Sequence, residues 1–147
     1  SMNRTTLLAL AERVEAATRG SDELDAHIRC ALFGKPNNFV KQSHINGAWC
    51  VWRIDGAGRE VAWDGNGLTQ LQRLGAFTAS LDAAMSLVPS GLILRNYQSS
   101  RFVPHSCEVA LSWAHGGWLG NSDHSFALAL TAACLRARAI AGSMTDD

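Results

Sequence analysis

The chain has 147 residues, with thirteen basic and thirteen acidic side chains and therefore a formal net charge of zero. Charged residues make up 18% of it and apolar residues 47%, a balance that excludes intrinsic disorder and disfavours a large DNA-coating surface. No apolar run approaches the roughly 20 residues that a membrane span needs, and the short run at residues 7–11 makes a poor signal peptide, so we expect a cytosolic protein.

The N-terminal segment predicts two short amphipathic helices joined near Gly20. Apolar residues recur at helical spacing after Thr5 and Thr6, and Gly20 ends that pattern. Ser21 is the expected N-cap of the second helix, which should end at Gly34. We therefore expect a helical hairpin, and we interpret the charged residues on its outer side as a solvated face.

The next segment predicts a loop followed by a β-hairpin. Residues 35–47 are rich in Pro, Asn and Ser, which is typical of a loop. Residues 49–54 and 59–64 are predicted strands, because aromatic and β-branched residues flank the turn at 55–58.

Alternating polarity predicts a further strand in the C-terminal half. Over residues 106–113 the alternation places Cys107, Val109 and Trp113 on one face, which we expect to point into the core. The other predicted elements, in chain order, are one loose helical turn within 68–77, a helix over 81–87 capped by Ser80, a strand over 91–97 and a helix from about 125 to 141.

The element order predicts the fold class α+β. Hairpins imply antiparallel pairing, and helices dispersed along the chain can cover both faces of a sheet. We expect a single-domain α/β sandwich over residues 2–142, with an antiparallel sheet of about four strands and helices on both faces. Residues 143–147 are expected to be a tail, and Ser1 is interpreted as a residue left by tag removal.

Two sequence blocks carry a resemblance to a known family. Residues 78–91 read TASLDAAMSLVPSG, and residues 126–138 read FALALTAACLRAR. Together with the N-terminal helices, these blocks resemble a family of small phage and prophage proteins named for an α–β–α sandwich domain. The resemblance covers most of the chain except about residues 35–75. It implies an accessory phage protein in the cytoplasm of a host bacterium, and it supplies no catalytic residue.

The best candidate site in the sequence is the glycine-rich segment 115–122, predicted to be a loop before the last helix. Backbone N–H groups at a helix start attract phosphate, and glycines permit close approach. Trp118 between glycines suits stacking on a purine, although a Trp at a sheet edge or subunit interface would leave the same pattern, and Asn121 and Ser122 are also ordinary N-cap residues. The candidate ligand-binding residues are Trp118, His115, Gly116, Gly117, Asn121, Ser122, Tyr97, Arg95 and Arg101.

The sequence predicts no catalytic residues, metal site or cofactor. The cysteines form no CxxC pair and are typical of reduced, buried thiols; they are Cys30, Cys50, Cys107 and Cys134. The C-terminal third also contains three histidines, a serine and two acidic residues that can be drawn as a catalytic triad, but no nucleophile elbow accompanies them; they are His105, His115, His124, Ser112, Glu108 and Asp123.

These observations and the resemblance lead to one hypothesis and three alternatives. We expect a non-enzymatic phage protein that sequesters a nucleotide-derived host immune signal, such as an ADP-ribose derivative or a cyclic oligonucleotide. The alternatives are an inhibitor that binds a host protein directly, a nucleic-acid-binding accessory protein, which two lysines and zero net charge disfavour, and a hydrolase of the same signals. Five Trp and few charges predict a homo-oligomer, at least a dimer.

Overall fold

Helices and strands are interspersed along the chain in a computed structural model that describes residues 4–73, 75–98, 102 and 104–145. The elements in chain order are α1 (Arg4–Ala16), α2 (Asp22–Phe33), β1 (Phe39–Gln42), β2 (Trp49–Ile54), β3 (Glu60–Ala62), α3 (Gln70–Arg73), α4 (Leu81–Met85), β4 (Ile93–Gln98), β5 (His105–Ala110), β6 (Trp118–Ser122) and α5 (Phe126–Thr145). This mixture of helices and antiparallel strands confirms the α+β class.

The six strands form two antiparallel sheets, so the prediction of one sheet of about four strands is wrong. Sheet A has the order β1-β2-β3 and sheet B the order β4-β5-β6. Two strands were missed in the sequence. β1 lies inside the predicted loop 35–47, and β6 occupies most of the predicted glycine-rich loop 115–122. Both are short strands next to turn-forming residues, and the pairing that holds them in place is not a local property of the chain.

The core is organised around α5. Every residue from Ala127 to Leu135 is buried, which explains why this helix is apolar on all sides. It contacts α1, α4, β5 and β6, while α2 contacts α1 and sheet A. Sheet A therefore lies against α2 and sheet B against α5. Within the described ranges, no helix has the length and apolar character needed to cross a membrane.

The segment between α3 and α4 passes through the interior and is held there by hydrogen bonds. The N–H and Oγ1 of Thr78 both donate to Oδ1 of Asp25, over 2.9 and 2.8 Å. The Ser21 N–H donates to Oγ1 of Thr78, and Oγ1 of Thr131 donates to the Phe77 carbonyl. Burial raises the pKa of Asp25, and the hydrogen bonds from Thr78 oppose that shift. These bonds join α2 and α5 to the buried residues Phe77 and Thr78.

Strand β6 crosses α5 at a distance that only glycine allows. A Cβ atom on Gly120 would lie 1.8 Å from the carbonyl oxygen of Ala129 and 2.7 Å from the nitrogen of Ala133. Both neighbours are helix backbone and cannot move aside. Gly116, four residues earlier, has no atom within 4 Å of the equivalent position.

These two glycines provide a matched test of the packing between β6 and α5. Gly120→Ala should lower the free energy of unfolding by at least about 2–3 kcal/mol, because the added methyl group must separate the strand from the helix. Gly116→Ala should change it by less than about 0.5 kcal/mol. Urea unfolding followed by circular dichroism measures both. Equal stability of the two variants would contradict the close contact.

Candidate ligand-binding site

The structure does not bring the predicted site residues of segment 115–122 together. Trp118 and Ser122 lie at opposite ends of β6, about 13 Å apart at strand spacing. Along this strand Gly120 and Ser122 are buried, whereas Leu119 and Asn121 are exposed. His115, Gly116 and Gly117 are exposed in the connection before the strand. The expected loop that places all these groups around one ligand is therefore wrong.

The backbone N–H of Asn121, one of the donors expected to bind phosphate, is instead bound by a carboxylate of the protein itself. The N–H of Asn121 donates to Oε2 of Glu15 over 2.8 Å. Both guanidinium Nη atoms of Arg136 donate to the same carboxylate, over 2.6 and 2.7 Å, and Nη1 also donates to the Leu119 carbonyl. A side chain of α1 thus supplies the anion at this position.

Serine side chains satisfy the backbone donors that precede and begin α5. The N–H groups of His124 and Ser125 donate to Oγ of Ser122, and the N–H of Leu128 donates to Oγ of Ser125. Ser125 is therefore the N-cap of α5, and Ser122, which was a possible N-cap in the sequence, instead holds the turn just before the helix.

Arg95 holds the connection between β5 and β6 instead of facing an open site. Its Nε and Nη2 atoms donate to Oε1 of Glu108 over 3.0 and 2.8 Å, and its Nη1 donates to the carbonyls of Leu111 and Ala114. Glu108 is only 8% exposed, so this ion pair is largely shielded from water. The backbone of Tyr97 pairs with Cys107 in sheet B, and Arg101 lies outside the described residues.

The two tryptophans near this connection have the reverse of their predicted environments. Trp113, expected in the core, is 78% exposed, because β5 ends at Ala110 and the chain turns before the alternation is complete. Trp118, expected to be free for stacking, is half-buried and packs against the core.

A groove of about 490 Å³ lies elsewhere, between α1, α2 and the start of β1. We call it the α1–α2 groove. The described residues that line it are Thr5, Thr6, Ala9, Leu10 and Arg13 of α1, His27, Cys30 and Ala31 of α2, and Asn38, Phe39 and Val40 at β1. The volume lies within the range of small-molecule sites, and a mainly apolar wall with a few polar groups is typical of them.

Arg13 provides the positive charge of the α1–α2 groove. Its side chain forms no ion pair within the described part of the chain. Burial and then the charge of Arg13 lower the pKa of His27, which Glu23 opposes from 3.9 Å, and burial raises the pKa of the Cys30 thiol. At neutral pH, His27 and Cys30 are therefore mainly neutral. None of the described lining residues is acidic.

The polar groups of the α1–α2 groove suit binding better than covalent chemistry. The Cys30 thiol stays protonated, so it is not an activated nucleophile. Oδ1 of Asn38 accepts the N–H of Lys35 over 2.7 Å, which leaves its amide nitrogen as a donor. Thr5 and Thr6 add hydroxyl groups at the start of α1. Among the described residues, no group of three or more His, Cys, Asp or Glu side chains is placed to hold a metal ion.

The sequence contained a signal for this groove that pattern analysis did not use. Thr5, Ala9 and Arg13 are four residues apart, so they lie along one face of α1. His27 and Ala31 are related in the same way on α2. Arg13 was interpreted as part of the solvated face of the hairpin, because the sequence does not show how far apart two helices lie.

Comparison with known proteins identifies no relative: no family model, no curated protein and no solved structure matches this chain. The resemblance to the phage sandwich family therefore stays a prediction.

The reversed tryptophans give a direct test of sheet B. Trp118→Ala should lower the free energy of unfolding by about 2–3 kcal/mol, because a half-buried aromatic ring leaves the core. Trp113→Ala should change it by less than about 0.5 kcal/mol, because that ring is in solvent. Denaturant unfolding compares the two variants. The opposite order would show that β5 continues through Trp113.

The carboxylate of Glu15 predicts a pH-dependent contribution to stability. Burial raises its pKa, but the hydrogen bonds from Arg136 and Asn121 lower the pKa by more than burial raises it, so the net shift is downward. The contribution is therefore complete above the unfolded-state pKa and is lost as the pH falls through the folded-state value. Glu15→Gln should cost about 1.5–3 kcal/mol at pH 7 and much less in acid, measured by urea unfolding at both pH values.

Glu12→Gln is the matched control, because Glu12 is exposed on the same helix and forms no hydrogen bond with Arg136. It should change stability by less than about 0.5 kcal/mol at either pH. A Glu15→Gln effect independent of pH would contradict the ionic role.

Proposed function

We propose that this protein binds a small nucleotide-derived anion in the α1–α2 groove and does not transform it. The observation that carries the proposal is the composition of the groove. It combines an unpaired arginine, hydroxyl and amide groups, and an apolar wall, with no acidic residue among its described lining. Such a set matches a ligand that has charged, hydroxylated and planar parts.

Each part of the proposed ligand has a counterpart in the groove. The Arg13 guanidinium attracts a phosphate and can donate two parallel hydrogen bonds to it. Thr5, Thr6 and Asn38 are suited to sugar hydroxyls, and Phe39 offers a ring for a base. This arrangement retains the ligand class expected from the sequence and moves the site from segment 115–122 to the N-terminal helices.

Sequestration is the biological role that we attach to this binding. The Cys30 thiol in the groove is protonated and is therefore not an activated nucleophile, which supports a signal that is held and released unchanged. The family resemblance supplies the setting, in which a phage protein in the host bacterial cytoplasm withholds an immune signal from a defence effector. This setting is carried over by analogy with the family.

Exposed apolar side chains at one end of sheet B support a second part of the proposal, self-association. Ile93 is 44%, Trp113 78% and Leu119 51% exposed. Ile93 pairs with Ala110, and Trp113 follows in the connection to β6, so these side chains lie near one sheet end. Apolar surfaces of this kind mark interfaces, and we propose a second copy of this chain as the partner. A host protein as partner would instead leave the isolated chain monomeric.

Native mass spectrometry with a panel of ADP-ribose derivatives and cyclic oligonucleotides tests the binding. We expect one class to be retained, and the same spectra report the number of subunits. Arg13→Gln should weaken the retained ligand roughly tenfold or more in titration calorimetry, because a charge-assisted hydrogen bond contributes about 1.5–3 kcal/mol.

Arg19→Gln is the control, since Arg19 is an exposed arginine just after α1 and does not line the groove. It should leave the affinity unchanged. Heating the complex should return the ligand with its original mass; a cleaved product would make the protein a hydrolase. Equal affinities of the wild type and Arg13→Gln would place the site elsewhere.

A further inference from the structure

A second, smaller cavity of about 160 Å³ lies beside α2 at the end of sheet A. The described residues that line it are Arg29, Cys50, Val51, Ala62, Trp63, Asp64, Gly65 and Arg73. Arg29 is two residues from His27 on α2, and positions two apart lie on different helix faces. The two cavities therefore flank the same helix and share no described residue.

Arg29 and Arg73 both line this cavity, and each of their side chains contacts a neighbouring segment of the chain. Nη1 of Arg29 donates to the Gly75 carbonyl over 3.3 Å, which ties α2 to the chain just after α3. The side chain of Arg73 runs beside Gly65, where a Cβ atom would lie 3.5 Å from its Cγ and 3.9 Å from its Nε. Gly65 has a φ of +67°, a conformation that favours glycine. The turn after β3 thus lets Arg73 lie along it.

The described residues that line this cavity carry a net positive charge, although Asp25, one turn earlier on α2, also attracts Arg29. Neither arginine forms an ion pair within the described part of the chain. Arg29 has several N–H donors beyond the one that binds Gly75. Asp64 is the acidic residue among the described lining, and its Oδ1 accepts the N–H of Asn66 over 3.0 Å. Two arginines against one aspartate leave a net charge of +1.

We propose that this cavity binds a tetrahedral oxyanion of phosphate size between Arg29 and Arg73. Guanidinium groups present paired donors that match the oxygen spacing of phosphate. The indole of Trp63 lines the same cavity and gives an apolar wall that reduces screening of the charges by water. Free inorganic phosphate and the end phosphate of a phosphomonoester share this chemistry.

The test is calorimetric titration with sodium phosphate at constant ionic strength on the Arg13→Gln background, because Arg13 of the α1–α2 groove is itself proposed to attract phosphate. We expect saturable binding at one site per chain. Arg73→Gln should weaken it at least tenfold, and Arg73→Lys should restore part of the affinity, because lysine keeps the charge but not the paired donors. Asp64→Asn should tighten binding, because it removes the opposing charge and keeps the oxygen that accepts from Asn66.

Arg53→Gln is the matched control, since Arg53 is exposed on β2 and does not line the cavity. It should leave phosphate affinity unchanged. Equal weakening by Arg53→Gln and Arg73→Gln would show non-specific attraction to positive charge and would overturn the proposal. Absence of saturable binding on the Arg13→Gln background, or no tightening when Asp64→Asn is added to it, would also overturn the proposal.

The source of the phosphate is decided by a second titration, with adenosine 5′-monophosphate on the Arg13→Gln background. That background removes the charge of the α1–α2 groove, so the two sites are tested separately. Tighter binding of the nucleotide than of inorganic phosphate identifies a phosphomonoester as the ligand, and weaker binding identifies the free ion. Failure at this site leaves the proposed function intact, because Arg13 is not among its residues.

Discussion

The buried carboxylate of Asp25 is the constraint on which the arrangement of the helices depends. A charged oxygen inside a protein must be hydrogen-bonded, since its loss of water is otherwise too costly. Asp25 meets this need with two donors from Thr78, a residue 53 positions away in the chain. A Cβ atom on Gly20 would lie 2.5 Å from the Thr78 backbone, so the α1–α2 turn is held at the same place. The contact therefore holds α2, the helix that lies between the two cavities.

At the α5 end of β6, a backbone N–H group that was expected to bind a ligand anion binds an anionic side chain of the protein itself. Backbone N–H groups near the start of α5 were expected to attract an anion, and the N–H of Asn121 does bind one. The anion is Glu15, which is brought there by α1 and is balanced by Arg136. Sequence reasoning identified the donor but not its partner, because the partner is 106 residues away. Arg13 and Arg73, by contrast, form no ion pair within the described residues, and the two sites that we propose contain them.

Local features of the fold were predictable from the sequence, and long-range features were not. β2 has its predicted bounds, and Ser21 and Ser80 cap their helices as expected, because strand alternation and capping depend on a few neighbouring residues. The division into two sheets, and the groove between two helices and a strand, depend on contacts between distant parts of the chain. Trp113 illustrates the difference. Its alternation is regular, but Arg95 binds the connection from another strand and ends the pattern.

The contact between Gly120 and α5 also fixes the register of sheet B. β6 is an edge strand, and edge strands are the ones most free to slip against their neighbour. A slip of one residue would place Leu119 or Asn121 against the α5 backbone, where even a methyl group does not fit. A slip of two would bring Trp118 or Ser122 to the same position. Because only glycine fits against α5, the position of Gly120 allows one register between β5 and β6 and excludes the adjacent registers.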